Sequence, residues 1–236
     1  IEHEVLKTVN GELIVAKTGD EEELLTLAPQ VDAIMFCWQQ VTGAVLDAAP
    51  RCKIASRFGV GLDNISLDHA TELGIPVTYV PDYCMDEVSD HTLALLLACA
   101  RSIFTYDRHM QRGDWNLQVG RPMYRLRGRT VGLIGLGRIG RMVADKAQAF
   151  GFHVIVYDPF VDEGELNGIV VTHDLYSILG RSDYVCLHVP LNENTAQLVN
   201  ADFLNKMKPN AYLINTSRGG LVDEVALHNA LTNGQI

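Results

Sequence analysis

The chain has 236 residues, 47% of them hydrophobic, and a formal net charge of −10. That length is ample for one large domain or two modest ones, and the acidic balance excludes a nucleic-acid surface, which needs a basic stripe. The longest unbroken apolar run, Leu93 to Ala100, is too short to span a bilayer, and no basic run marks a membrane patch.

The start, Ile1-Glu2-His3-Glu4, is acidic and lacks the basic region of a signal peptide. Cys37, Cys52, Cys84, Cys99 and Cys186 are scattered, odd in number and without C-x-x-C. This pattern suits a reducing cytoplasm with thiols as buried filler, and predicts no metal site.

The first hundred residues alternate strand-like and helix-like pieces. Strands are predicted at Leu13–Ala16, Ala33–Phe36, Lys53–Arg57 and Pro76–Val80. Helices are predicted at Glu21–Ala28, Val41–Ala49 and Ser66–Leu73. Asp20 is placed to cap the first of these, with Glu21, Glu22 and Glu23 where the helix dipole favours acids. The alternation predicts a small parallel α/β domain. After its third strand comes Phe58-Gly59-Val60-Gly61-Leu62-Asp63-Asn64-Ile65. Its glycines expose backbone N–H groups that form a carboxylate nest, or else Asp63 or Asn64 shapes a plain βα turn; the residues alone leave both open.

Asp86 or Ser89 is expected to cap a helix running to about Arg108. Its middle is apolar on every side, so burial all round is expected, as at a seam between domains. His91 near its start faces a cleft or, the commoner case, makes a structural hydrogen bond. Residues 111–127 read as an irregular connector. Arg108, Arg112, Arg121, Arg125, Arg127 and Arg129 make this region the most basic, which fits a solvated face or a subunit contact.

The most informative stretch is next. Val131 to Ile134 reads as a buried strand, Gly135, Gly137 and Gly140 follow in G-x-G-x-x-G spacing, and Ile139, Met142, Val143, Ala147 and Phe150 lie on one helical face. The first glycine permits a tight turn, the second lets a pyrophosphate approach, and the third packs the helix on the strand. The helix N-terminus then offers free N–H groups to the phosphates. A second strand, Phe152 to Tyr157, ends at Asp158, close to the usual spacing of roughly 20 residues. An acid there accepts bonds from a ribose diol and repels a 2′-phosphate, so NAD is expected over NADP.

A short helix is predicted at Asp174–Leu179, a strand at Asp183–Leu187, a helix at Asn200–Lys206, and a strand at Ala211–Asn215. Asp223 is placed to cap a last helix through Leu231. The last strand runs into Thr216-Ser217-Arg218-Gly219-Gly220, on the same sheet end as Gly135–Gly140. The planar fork of Arg218 matches a carboxylate and can polarise a neighbouring carbonyl, or it pairs with a local acid such as Asp223.

Taken together, these stretches resemble the D-isomer-specific 2-hydroxyacid dehydrogenase family. That family includes phosphoglycerate, glycerate and D-lactate dehydrogenases, hydroxypyruvate reductases and the C-terminal-binding-protein corepressors. The resemblance runs in order through Gly59–Ile65, Asp90–Ala98, Val131–Gly140, Tyr157–Pro159, Leu187–Leu191 and Asn215–Asp223. It implies an α/β protein of two domains with a cleft between them: a flavodoxin-like parallel substrate domain over 1–100 and a Rossmann NAD-binding domain over 101–236. Both are expected to be completed by residues further along.

The resemblance assigns the NAD pyrophosphate to Gly135, Gly137, Arg138, Ile139 and Gly140, and the adenosine ribose to Asp158. His188, Val189, Pro190 and Thr195 line the cofactor groove, joined by Thr216, Ser217 and Arg218. Val60 and Gly61 give N–H bonds to the substrate carboxylate, and Arg218 is the catalytic arginine. The family's acid is a histidine oriented by a glutamate. Both fall after the segment matching Asn229–Ile236, so neither is assigned here. Trp38-Gln39-Gln40 departs from the small and basic residues common after the second strand, and Asp90 stands where Glu is usual. The expected activity is hydride transfer between NAD(H) and a small 2-hydroxy or 2-keto acid, by a cytoplasmic homodimer. The rival is an NADH-sensing, corepressor-like binding protein on the same fold.

Overall fold

A computed structural model describes residues 2–120 and 122–236; Ile1 and Arg121, one of the six arginines of the basic region, lie outside. The chain forms two compact units, one ending at Tyr83 and one running from Cys84 to Ile236.

In the first unit the helices are α1 (Glu2–Lys7), α2 (Glu21–Leu27), α3 (Gly43–Asp47) and α4 (Leu67–Glu72). The strands β1 (Ile34–Phe36), β2 (Ala55–Arg57) and β3 (Val77–Thr78) pair in parallel in that order. Local chemistry sets the helix starts. Asp20 accepts a 2.9 Å bond from the Glu23 N–H, and Thr42 caps α3 through the Val45 N–H. Phe36, Val45, Leu46, Ala55 and Ile65 close the core. The strand expected at Leu13–Ala16 is absent. Those residues belong to no regular element and pair with no strand among the described residues, and Val15 is 67% exposed. A strand exists only where a partner takes its backbone bonds.

The second unit begins with α5 (Met85–Ala100) and α6 (Ile103–Gln111). It continues as β4 (Thr130–Ile134), α7 (Arg138–Ala149), β5 (His153–Tyr157), β6 (Gly164–Leu166), β7 (Ile169–Thr172), α8 (Leu175–Arg181), β8 (Tyr184–Leu187), α9 (Ala201–Lys206), β9 (Tyr212–Asn215) and α10 (Glu224–Thr232). The sheet order is β6-β7-β5-β4-β8-β9, parallel except for β6. Both sheet faces are covered. Val131, Leu133, Val154 and Val156 join one core with α5 and α7. Ile134, Ile155, Val185 and Leu187 join the other with α8 and α9. This two-sided burial is why these strands read as continuous apolar runs. The hairpin of β6 and β7 was not predicted, although Ile169-Val170-Val171-Thr172 is a β-branched run suited to a strand.

The helix expected from Asp86 to about Arg108 is two helices. Ser102 takes a left-handed φ of 51° and breaks it. Neither Asp86 nor Ser89 caps α5. Its N-cap is Cys84, with no side-chain bond, and Ser89 Oγ instead donates to the Asp86 carbonyl and accepts from Lys146 Nζ of α7. Nor is α5 buried all round, since His91 and Ala94 are exposed. It packs on α7 within the second unit, so the units divide at Tyr83/Cys84 and not at the 100/101 point read from the sequence. Cys186 alone of the cysteines is fully buried, and its burial pushes the thiol up to about 12. Among the described residues no helix is long and apolar enough to cross a membrane.

Candidate functional site

Register builds the site in the second unit. Ile134 pairs with Tyr157 on one side and with Leu187 on the other, and Leu187 pairs with Asn215. The next residue of each strand therefore lies at one level: Gly135, Asp158, His188 and Thr216 form a row across the carboxyl edge. The ladder continues into the row, with Gly135 N–H on the Tyr157 carbonyl and His188 N–H on the Ile134 carbonyl, both at 2.8 Å. The chain winds outward from β4 through β5 in one direction and through β8 in the other. This switch point is where open α/β sheets bind ligands.

The three glycines behave differently. Gly135 has φ +100°, and a Cβ there would lie 2.6 Å from the His188 carbonyl oxygen, so no other residue fits. A Cβ at Gly140 would collide with the Gly135 carbonyl oxygen, which holds α7 hard against the turn. Gly137 is the N-cap of α7, with an ordinary φ of −69° and no side-chain cap. A Cβ there meets nothing within 4 Å. The first helical bond is Arg141 N–H to the Gly137 carbonyl, so the preceding N–H groups point out of the helix end. An open face at the positive end of a helix dipole fits a pyrophosphate.

The other predicted cofactor residues divide into those that face the row and those that brace it. One oxygen of Asp158 accepts the Leu136 N–H at 2.8 Å and the other accepts the Phe160 N–H at 2.9 Å, so the acid stiffens the glycine turn from the neighbouring strand. Each oxygen keeps a lone pair for a hydroxyl. His188 Nε2 is buried with no partner among the described residues, and that burial pushes its pKa down to about 4. The imidazole is therefore neutral near pH 7. Val189 packs on Gly135, and Pro190 is exposed. The Ile139 side chain turns to the core, so only its backbone is offered outward. Thr195 Oγ1 donates to the Pro190 carbonyl at 2.6 Å and closes its own turn. Thr216 Oγ1 bonds Thr92 Oγ1 of α5, and Ser217 Oγ donates to the Leu187 carbonyl, both at 2.8 Å.

Arg218 sits on a loop tied at both ends by one side chain. Asn215 Oδ1 accepts the Ser217 N–H at 3.0 Å, while its Nδ2 donates to the Arg218 carbonyl at 2.8 Å. Asp223 does not pair with Arg218. Its Oδ1 accepts the N–H groups of Val225 and Ala226, both at 3.0 Å, and caps α10.

In the first unit, the loop after β2 leaves the Val60 and Gly61 N–H groups without an acceptor among the described residues. Asn64 shapes this turn, its amide donating to the carbonyls of Cys37 and Gln39. Beside the loop lies a residue the sequence reading passed over. Arg57 is 6% exposed, and its Nε donates to Asn64 Oδ1 at 2.8 Å. Its guanidinium touches the space a Cβ on Gly59 would take. No carboxylate pairs with it among the described residues. A buried cation without a counter-ion makes the loop attractive to an anion. The only sequence signal was a charged residue ending an apolar strand.

Residues 93–236, more than half the chain, match the D-isomer specific 2-hydroxyacid dehydrogenase, NAD binding domain, family. The chain belongs to this family. The D-3-phosphoglycerate dehydrogenase of Methanocaldococcus jannaschii is 38% identical over 229 residues, 96% of this chain but 44% of that protein. The hydroxypyruvate reductase of Thermotoga maritima is 37% identical over 218 residues, 92% of this chain and 70% of the relative. The NAD-dependent formate dehydrogenase of Staphylococcus aureus, solved with NAD, superposes with a TM-score of 0.90 at 31% identity, covering 98% of this chain and 70% of that one. The chain thus spans less than half the length of the phosphoglycerate dehydrogenase relative. Membership makes the second unit an NAD-binding domain by kind, and the open Gly137 face is a physical feature that agrees with it.

Proposed function

We propose that this family member is an NAD-dependent oxidoreductase acting on a small 2-hydroxy or 2-keto acid. The observation that carries the reading is the shared level of the glycine turn, Asp158 and the Arg218 loop at one sheet edge. Bound NAD(H) supplies or accepts the hydride. In the reduction direction negative charge grows on the carbonyl oxygen, and Arg218 stabilises it with a permanent charge. The Val60 and Gly61 N–H groups hold the substrate carboxylate, with the Arg57 charge beside them. Asp158 takes the ribose hydroxyls and rejects a 2′-phosphate by repulsion. His188 is not the proton donor. A group with a pKa of about 4 is hardly protonated at neutral pH. The expected result is NADH oxidation with glyoxylate, hydroxypyruvate or phosphohydroxypyruvate, followed by absorbance. NADH binding without turnover on any of the three defeats the reading.

The protein is further proposed to be a homodimer. Phe104, Met110, Trp115 and Leu117 on and after α6 are 52–78% exposed and form the apolar surface for a second copy. Sedimentation equilibrium is expected to give twice the chain mass, and Trp115→Ser is expected to give the monomer. A wild-type monomer at micromolar concentration ends this proposal.

A further inference from the structure

We propose that the second unit binds a small organic carboxylate at the amino ends of β4, β8 and β9, opposite the Gly135 row. A cavity of about 290 Å³ opens there, lined by Tyr124, Arg129, Asp183, Tyr184, Lys208 and Tyr212 and walled by Pro122 and Pro209. The size suits a ligand at the small end of the usual range.

Among the described residues the charges lining this cavity do not balance. Asp183 is the one carboxylate among them, and it is already committed. Its Oδ1 accepts from Arg129 Nη1 at 3.1 Å and Lys208 Nζ at 3.2 Å, and its Oδ2 accepts the Thr130 N–H at 2.9 Å. Burial alone would raise its pKa, but the Thr130 N–H, Lys208 and Arg129 outweigh it and hold the carboxyl below the ordinary range. Two cations thus face one anion, and both have donors to spare. Lys208 spends one of its three on Asp183, and Arg129 one of its five. The Arg129 guanidinium is also held in place, 3.9 Å above the Tyr124 ring centroid.

The second observation is a phenol with no protein hydrogen-bond partner among the described residues. Tyr184 is 6% exposed, its ring fixed by Phe152 edge-on and Tyr212 stacked at 5.6 Å. Its phenol oxygen has no hydrogen-bond partner among the described residues, yet it is not sealed from solvent, so it opens on the cavity. Burial, with a smaller push from Tyr212, moves the phenol up to about 12, so it keeps its proton as a donor. A carboxylate accepts from phenol, ammonium and guanidinium together, and its apolar body rests on the proline and alanine walls.

The test is calorimetric titration of benzoate into the NAD-saturated protein, with three variants. Tyr184→Phe and Lys208→Gln are each expected to weaken benzoate by roughly tenfold or more, the loss of one hydrogen bond to a charged group. Arg218→Ala is expected to leave benzoate affinity unchanged, which separates this cavity from the proposed substrate site. No benzoate heat with wild type, or an affinity that falls with Arg218→Ala and not with Tyr184→Phe and Lys208→Gln, overturns the proposal.

Discussion

Replacing Gly137 with valine is expected to leave the protein folded and to remove most of its affinity for NADH. The backbone there is ordinary, with φ −69°, and a Cβ meets no atom within 4 Å. The fold therefore has no need of glycine at this position. The cofactor does, because a branched side chain fills the space through which a phosphate reaches the N–H groups of α7. Losing two hydrogen bonds to a charged group, each worth about 1.5–3 kcal/mol, weakens binding by roughly 100-fold or more. Fluorescence titration with NADH reads the affinity, and a circular-dichroism melt checks the fold. A well-folded Gly137→Val protein with wild-type NADH affinity would show that the pyrophosphate does not lie on this turn. Gly135 cannot serve for this test. Its φ of +100° and its contact with the His188 carbonyl make any substitution a structural lesion first.

The second large effect is expected at Arg218. Arg218→Ala should lower kcat by roughly 10²–10³, the usual loss when a donor to a developing oxyanion is removed. NADH affinity should stay nearly constant. The comparison variant is Asn215→Ala, which leaves the guanidinium in place but cuts the two bonds that hold its loop. It should lower kcat by less, at the same NADH affinity, and cost about 1–3 kcal/mol of stability. Stopped-flow reduction with saturating keto acid separates kcat from binding. If Arg218→Ala changes only the Kd for NADH, the arginine is a cofactor ligand and its catalytic role is wrong.

Several parts of the site were legible because their signals are local. Gly135, Gly137 and Gly140 stand in fixed spacing between a strand and a helix, and the physics of a tight turn is written in those few residues. Asp20 and Asp223 were read as helix caps and do accept their bonds there. Other features escape local signals because the deciding contact is distant in sequence. Thr216 and Ser217 bond Thr92 and the Leu187 carbonyl, which no neighbouring residue announces. Leu13–Ala16 has the composition of a strand but no neighbour to pair with. Arg129 looked like one more solvated cation, and it is bound to Asp183, the residue just ahead of β8.

By itself the sequence determined the alternation of strand and helix, the two-sided burial of the central strands, the glycine turn and the acid that ends the next strand. Each of these follows from periodicity or backbone geometry within a short stretch. Only the tertiary structure decided that Gly135, Asp158, His188 and Thr216 share one level, that Arg57 is a buried cation with no acid paired to it among the described residues, and that Tyr184 lines one cavity with Arg129 and Lys208. Those facts depend on strand register and long-range packing, and such pairings are set by which faces the folded chain buries together, not by any run of neighbouring residues.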